Sequence, residues 1–193
     1  GSIAALTRNH WPDRLIVFFT TLGTAMPSFV LATLLLLVFC LKLGWFPVWS
    51  STSPNYVLPI IALSVYPMAY ITRLTKTSML DSLNQDYIRT ARAKGVPEKM
   101  VIRKHALKNA LIPVVTVIGL QFGSLLGGAI LTETVFAWPG VGRLLVDSIK
   151  SKDAPLVLGG VIMMTITFSI VNLCVDILYA FIDPRIKAQY KKK

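Results

Sequence analysis

Residues 15–41 read LIVFFTTLGTAMPSFVLATLLLLVFCL and carry no charged side chain over 27 consecutive positions. A helix of that length extends about 40 Å, which exceeds the ~30 Å hydrocarbon core of a bilayer. The run therefore predicts a membrane-spanning helix. Because a soluble fold has no place for such a segment, this stretch decides the fold class.

Three further apolar runs follow it along the chain. We predict spans at about 56–78, 109–132 and 154–182, and a loop at 43–55, where glycine, proline and serine cluster. Charged residues make up 15% of the 193 residues, whereas soluble domains carry about 25%. The sequence thus predicts an all-α, polytopic membrane helical bundle of four spans, forming one domain over 1–193, and argues against a soluble enzyme.

The basic residues indicate the orientation of the spans. The net charge of +11 is concentrated between the apolar runs, which argues against nucleic-acid binding. Sixteen lysines and arginines lie before the first span, between the second and third, or after the fourth, and four lie on the other side. Since cytoplasmic loops carry the excess of basic residues, we predict that both termini of the chain and the loop at about 79–108 are cytoplasmic.

That cytoplasmic loop carries a helical pattern. Its apolar residues recur every three or four positions, at Leu80, Leu83, Tyr87 and Ala91. This spacing predicts one amphipathic helix over about 80–94. Gly95 is placed to end this helix in a left-handed conformation, and Pro97 to take the first position of a second helix. A compact helix pair of this kind favours docking on another protein.

The third span carries three glycines, Gly119, Gly123 and Gly127, at a spacing of four. This spacing places them on one helix face, where another backbone can approach closely. Two interpretations stay open for this face. It serves helix packing, or it lines a pathway and slides during a conformational change.

Several separated motifs resemble one family. The stretch Arg89-Thr90-Ala91-Arg92-Ala93-Lys94-Gly95 is similar to the loop signature of ABC importer permease subunits, in which Glu-Ala-Ala is followed by three residues and glycine. Further similar stretches are Pro27-Ser28-Phe29, Leu43-Gly44-Trp45-Phe46-Pro47, Glu133-Thr134-Val135-Phe136 with Pro139-Gly140-Val141-Gly142, and Asp183-Pro184-Arg185. The arginine-threonine version resembles the peptide and nickel branch, and the whole pattern resembles its B-type subunit.

The resemblance implies a permease subunit that forms the translocation path for di- or oligopeptides or a related small solute. It implies four partners: a second permease subunit, cytoplasmic P-loop ATPase subunits, an extracytoplasmic solute-binding protein and the lipid bilayer of a bacterial inner membrane. No cofactor is implied for this chain, because the ATPase subunits would bind ATP. The ATPase-coupling loop would comprise Tyr87, Arg89, Thr90, Ala91, Arg92, Ala93, Lys94, Gly95 and Pro97.

The family's subunits have six spans, so the resemblance also predicts that this chain is a C-terminal part of the fold. Residues 1–6 would then be the end of the second family helix. By the same resemblance, an amphipathic helix predicted at 139–152 would help to close the external side of the pathway. Glu133, at the outer end of the third span, is expected to be solvated.

Two other function classes compete with this interpretation. An ion-gradient-driven transporter would need acidic or histidine relays near the membrane midplane, and Asp176 lies near the inner end of the fourth span instead. A non-transporting assembly subunit is the second alternative. The sequence contains no Gly-x-x-x-x-Gly-Lys-Ser/Thr motif, so this chain is not expected to hydrolyse ATP.

Overall fold

The computed structural model describes residues 1–50 and 52–182, and within them the side-chain surroundings of all but 124, 126–128 and 178–182. Every regular element in this part of the chain is helical, which confirms the all-α prediction. The helices are α1 (Ser2–Leu6), α2 (Trp11–Ala25), α3 (Ser28–Leu35), α4 (Val57–Leu83), α5 (Asp86–Ala93), α6 (Glu98–Met100), α7 (Leu107–Val135), α8 (Val141–Lys150) and α9 (Ala154–Ile182). Two π-helical segments, Leu36–Lys42 and Val101–Ala106, extend α3 and join α6 to α7. The Asp183-Pro184-Arg185 stretch lies outside the described residues.

Three helical stretches are long and apolar enough to cross a membrane: Val57–Leu83, Glu98–Gly123 and Ala154–Ile177. The fourth candidate is the bent pair formed by α2 and α3 with its π-helical extension. A single helix over 15–41 is therefore wrong, because the helix stops at Ala25 and restarts at Ser28. Pro27 has no N–H for a helical hydrogen bond, and it also disfavours the helical conformation of Met26.

The chain divides into two compact units. The first comprises Gly1–Gly23, Met68–Gly119 and the segment that begins at Val175, and the second comprises Thr24–Pro67 and Leu120–Cys174. Helices α4, α7 and α9 each contribute residues to both units. The single domain over 1–193 stays a prediction.

The core of the first unit joins the C-terminal end of α4 to α5 and to the π-helical segment before α7. Its buried members are Ala5, Met79, Ile88, Ala91, Val101, Ala106 and Ala110. Met79, Ile88 and Val101 have no exposed surface, and the alanines between them allow the helices to approach closely. This core fixes the position of α5, which carries most of the motif residues.

The core of the second unit packs α3 and α4 against the end of α7. Its buried members are Ala32, Leu58, Ala62 and Phe136. The predicted loop before α4 is present and is held by Asn55, whose amide donates to the carbonyl of Pro47 at 3.0 Å and accepts from the N–H of Val57 at 3.2 Å. The start of α4 is thereby anchored, with Val57 exposed and Leu58 buried in the core.

Candidate functional site

The corner formed by α5 and α6 begins where α4 ends. The chain leaves the helix at Asn84 and Gln85, and α5 starts at Asp86, so one helix over 80–94 is wrong. The N–H of Gln85 donates to the carbonyl of Ser82 at 3.2 Å, which tightens the last turn and ends α4. Because of this break, the fully buried residue of α5 is Ile88, which lies off the predicted stripe, while Tyr87 is 39% exposed.

Gly95 ends α5 with φ +75°, which confirms the predicted left-handed conformation. The N–H of Gly95 donates to Arg92 O at 2.9 Å, and the N–H of Val96 donates to Ala91 O at 3.2 Å. This pair of bonds is the Schellman arrangement, which satisfies the last carbonyl groups of a helix. Among the described residues, no atom lies within 4 Å of the place that a Cβ at Gly95 would take. Backbone conformation therefore sets the requirement for glycine here.

The second helix of the corner starts one residue later than predicted. Pro97 is the N-cap of α6 and Glu98 its first residue, so Pro97 does not take the first helical position. Glu98 faces back across the turn and accepts two hydrogen bonds from Arg92, Nη2 to Oε1 at 2.6 Å and Nε to Oε2 at 3.1 Å. The carboxylate of Glu98 raises the pKa of the Arg92 guanidinium, so this bidentate pair keeps its charge at any physiological pH.

A buried hydrogen-bond chain links α5 to the helices on either side of it. The hydroxyl of Ser82 donates to the carbonyl of Ala106 at 2.9 Å, and the hydroxyl of Tyr87 lies 2.6 Å from Ser82 Oγ. With Ser82 as donor to Ala106, Tyr87 donates to Ser82. The bond from Ser82 to Ala106 is buried, so water does not compete with it, whereas the bond between Tyr87 and Ser82 is part-buried. These two hydrogen bonds connect α4, α5 and the π-helical segment that leads into α7.

The residues predicted for the coupling loop share one surface. Eight of the nine are exposed, and only Ala91 is buried. We call these eight the coupling surface: Tyr87, Arg89, Thr90, Arg92, Ala93, Lys94, Gly95 and Pro97. Sequence reasoning missed the two buried residues behind it, Ile88 and Ser82, and it did not pair Glu98 with Arg92. Of these residues, only Ile88 could have been recognised from the sequence, because it is an apolar residue three positions before Ala91.

The glycine face of α7 lies against α9. A Cβ at Gly119 would overlap Val175, and one at Gly123 would lie 2.7 Å from Asn172 Oδ1. Both helices therefore approach closely at these two positions, as the spacing of four allows. Gly127 belongs to the same helix, but its surroundings lie outside the described side chains. Whether this face also lines a pathway stays a prediction.

The outer end of α7 holds the start of α8, which forms within the predicted range 139–152. Glu133 Oε2 accepts a hydrogen bond from the N–H of Arg143 at 3.0 Å and the residue is partly exposed, so the expected solvation holds only in part. Gly140 is the N-cap of α8 and has no side chain to satisfy the first amides. A Cβ at Gly140 would overlap the Glu133 carboxylate. The glycine thus leaves room for a negative group at the positive end of α8.

Two acids, Asp176 within the predicted fourth span and Asp13 just before the first, differ in their surroundings. Asp176 is exposed on α9. Asp13, in the first turn of α2, is 4% exposed, accepts from Asn9 N at 3.0 Å and pairs with Lys76 of α4 at 2.5 Å. A buried charge requires such a partner. Sequence reasoning missed this pair, since 63 residues separate its members.

Comparison with known proteins identifies the class. Residues 1–188 match the family described as binding-protein-dependent transport system inner membrane component. The chain therefore belongs to this family of ABC permease subunits, and the resemblance predicted from the separated motifs is confirmed. Members of this family are inner-membrane proteins without an ATPase site of their own.

Individual relatives are close in sequence. The chain is 49% identical over 188 residues to the glutathione transport system permease protein GsiC of Escherichia coli (strain K12). It is 48% identical over the same length to the proteins of that name from Shigella flexneri serotype 5b and Pectobacterium atrosepticum (strain SCRI 1043). Each alignment covers 97% of this chain and 61% of the relative, so the chain spans about three fifths of the length of these relatives.

The capping role of Glu133 gives a stability prediction. Replacing Glu133 with alanine removes the acceptor for the Arg143 amide, and loss of an N-cap acceptor costs about 1 kcal/mol. We expect faster hydrogen exchange of the first amides of α8, measured by mass spectrometry in detergent or lipid. Asp147→Ala, in the same helix but exposed, is the control and should leave these amides unchanged. Equal exchange in Glu133→Ala and the parent would contradict the capping role.

Proposed function

We propose that this chain is part of the permease subunit of an ATP-driven importer in the bacterial inner membrane, and that it helps to form the path for a small peptide. Membership of the binding-protein-dependent family supports the transport role. The observation that carries the coupling role is the exposed coupling surface, held by a left-handed glycine turn above a fully buried core. The relatives are named for glutathione, which makes glutathione the first solute to test.

The partners follow from the same reasoning. Cytoplasmic ATPase subunits would dock on the coupling surface, and an extracytoplasmic binding protein would deliver the solute. A second permease subunit and lipid would cover the large apolar side chains that α9 exposes, among them Leu158 at 63% and Leu173 at 60%. An ATPase moves the helices only if the coupling surface binds its two states with different affinity.

The hydrogen-bond chain from Tyr87 through Ser82 to Ala106 would pass movement of the coupling surface on to α4 and to the segment before α7. When an ATPase displaces α5, Tyr87 pulls on Ser82, which lies on α4 and also holds the Ala106 carbonyl. The core around Ile88 and Val101 is closely packed, so α5 moves with its neighbours. The adjoining ends of α4 and α7 would therefore tilt together.

The left-handed turn provides the first functional test. Gly95→Val forces a β-branched residue to φ > 0, which costs roughly 1 kcal/mol or more. We expect normal amounts of the complex in the membrane and loss of solute uptake, because the coupling surface loses its shape while the spans remain. The measurements are membrane abundance and uptake of labelled glutathione by cells that contain the full subunit and its partners.

Gly44→Val is the matched control for this test. Gly44 also has a positive φ, +63°, and likewise no described atom within 4 Å of a Cβ, but it lies in the loop before α4. The backbone strain is the same, and only the location differs. Uptake that survives in Gly95→Val, or fails equally in both variants, would refute the coupling assignment.

The hydrogen-bond chain provides the second test. Tyr87→Phe removes one hydroxyl and keeps the ring, so we expect unchanged abundance and ATPase activity with less solute imported per ATP hydrolysed. A lost hydrogen bond of this kind is worth about 1 kcal/mol, which corresponds to a partial loss of coupling. Tyr56→Phe, which removes a hydroxyl from a tyrosine whose ring contacts Trp138, should behave as the parent. An unchanged ratio in Tyr87→Phe would contradict the proposed route.

The orientation provides the third test. Both Ser151 and Lys94 are exposed, and the basic-residue distribution places Ser151 outside and Lys94 in the cytoplasm. A cysteine at Ser151 should react with an impermeant thiol reagent added to intact cells, and one at Lys94 should react only after the cells are opened. Labelling of Lys94→Cys in intact cells would reverse the orientation.

A further inference from the structure

A pocket of about 390 Å³ lies at the start of the long helix that forms the third span. It is lined by Pro97, Lys99, Met100, Arg103 and Lys104. Small-molecule sites in proteins have volumes of about 300–1,000 Å³. Since three of the lining side chains are basic and none of the described ones is acidic, the pocket suits an anionic group.

The π-helical segment explains why these basic side chains meet in one pocket. Its hydrogen bonds join residues five positions apart, whereas those of an α-helix join residues four apart. Val101 and Ala106, five positions apart, are both fully buried in the core of the first unit. Lys99 and Lys104, likewise five positions apart, are both exposed and both line the pocket. The π-helical turn thus keeps the apolar residues in the core and gathers the lysines outside it.

The basic side chains of the pocket have no acidic partner within the described part of the chain. Their nearest acid in sequence is Glu98, whose two carboxylate oxygens accept from Arg92 at 2.6 and 3.1 Å. Beyond Glu98 the sequence has no aspartate or glutamate before Glu133. The ion pairs of the described residues include no basic residue of the pocket. The pocket therefore carries positive charge that the chain itself does not compensate.

The position of the pocket along its helix places it beside lipid headgroups. Glu98–Gly123 is one helical stretch, and its uncharged run begins at residue 109, six residues after Arg103 and five after Lys104. At about 1.5 Å per residue, these two residues lie about 7–9 Å beyond the hydrocarbon. The headgroup region of each leaflet is about 5–8 Å thick. Because long basic side chains extend along their stems toward polar groups, the pocket is within reach of lipid phosphates.

An anionic phospholipid fits the chemistry of this pocket. A guanidinium can donate two parallel hydrogen bonds to phosphate oxygens, and a lysine ammonium adds a compact positive charge. Met100 follows Lys99 in the chain and is 50% exposed, so an apolar side chain is available for the glycerol and the first acyl carbons. Apolar contact together with positive charge at headgroup level favours a lipid over a soluble anion.

We propose that this pocket binds the headgroup of an anionic phospholipid, with Arg103 on the phosphate and Lys99 and Lys104 beside it. The site requires only that the helix enters the bilayer beyond residue 109, so it depends neither on the proposed transport function nor on the orientation of the chain. A bound headgroup fixes the level of this helix in the membrane. Since Pro97 belongs both to the pocket and to the coupling surface, the lipid lies next to that surface.

Photocrosslinking tests which lipid occupies the pocket. The full complex, with Met100 replaced by the photoreactive residue p-benzoylphenylalanine, is reconstituted in vesicles of equal parts phosphatidylglycerol and phosphatidylcholine. After illumination, mass spectrometry counts the lipid adducts at this position. One lysine or arginine near an anionic surface favours binding about fivefold, so phosphatidylglycerol adducts should exceed phosphatidylcholine adducts about fivefold or more. Equal adducts of the two lipids would overturn the proposal.

Charge variants of the same complex test the basic side chains. With Lys99→Gln, Arg103→Gln and Lys104→Gln combined, the ratio of the two adducts should fall to about one. Lys99→Arg with Lys104→Arg retains the charge and should retain the preference. The matched control also removes three exposed lysines, but away from the pocket: Lys42→Gln, Lys150→Gln and Lys152→Gln. An unchanged ratio in the pocket variant, or an equal fall in the control, would contradict a local site.

Two other occupants are distinguished by the same measurement. Sodium phosphate should lower the ratio no more than sodium chloride of equal ionic strength does, because both salts screen the charges alike. A larger fall with phosphate would assign the pocket to a soluble phosphate. Crosslinking of position 100 to an ATPase polypeptide in place of lipid would assign it to the coupling interface. Either result would overturn the lipid site.

Discussion

Backbone hydrogen bonding in hydrocarbon is the constraint on which the rest of this structure depends. A peptide group in a bilayer core finds no water, so each span must satisfy its own amides as a helix. Helices α4, α7 and α9 obey this rule over 27, 29 and 29 residues. Two places where the helices are irregular are therefore of interest. The interruption at Pro27 opens on a pocket, and the π-helical segment at Val101–Ala106 connects the corner formed by α5 and α6 to α7.

The corner formed by α5 and α6 combines a packed interior with a charged exterior. Its interior is made of buried Met79, Ile88, Val101 and alanine side chains and of the buried hydrogen bond from Ser82 to Ala106. Its exterior bears Arg89, Arg92 and Lys94, and the ion pairs of Arg89 with Asp86 and of Arg92 with Glu98 are exposed. Exposed pairs contribute little to stability. Packing therefore holds the shape of the corner, and the charges are available for a partner.

The features that sequence predicted correctly are set by local rules. The fold class follows from uncharged runs, and the turn at Gly95 follows from its position after a helical pattern. The continuous helix over 80–94 was wrong because the spacing of Leu80, Leu83, Tyr87 and Ala91 fits an unbroken helix equally well. The bond from Ser82 to Ala106 joins residues 24 positions apart, and Glu133 reaches an amide ten positions away. Such contacts depend on tertiary structure, which leaves no periodic pattern in a single sequence.

The empty space beside Gly95 distinguishes two reasons for requiring glycine. At Gly119 a Cβ would overlap Val175 of the neighbouring helix α9, so lack of space sets the requirement for glycine. At Gly95 there is room, and the obstacle is the φ of +75°, which disfavours the L configuration alone. The restriction is therefore one of handedness. A D-alanine, built in by chemical ligation, would fit the turn without strain and would restrict the unfolded chain more than glycine does. The natural amino acids offer no such residue, and the turn accordingly keeps glycine's flexibility beside the proposed coupling surface.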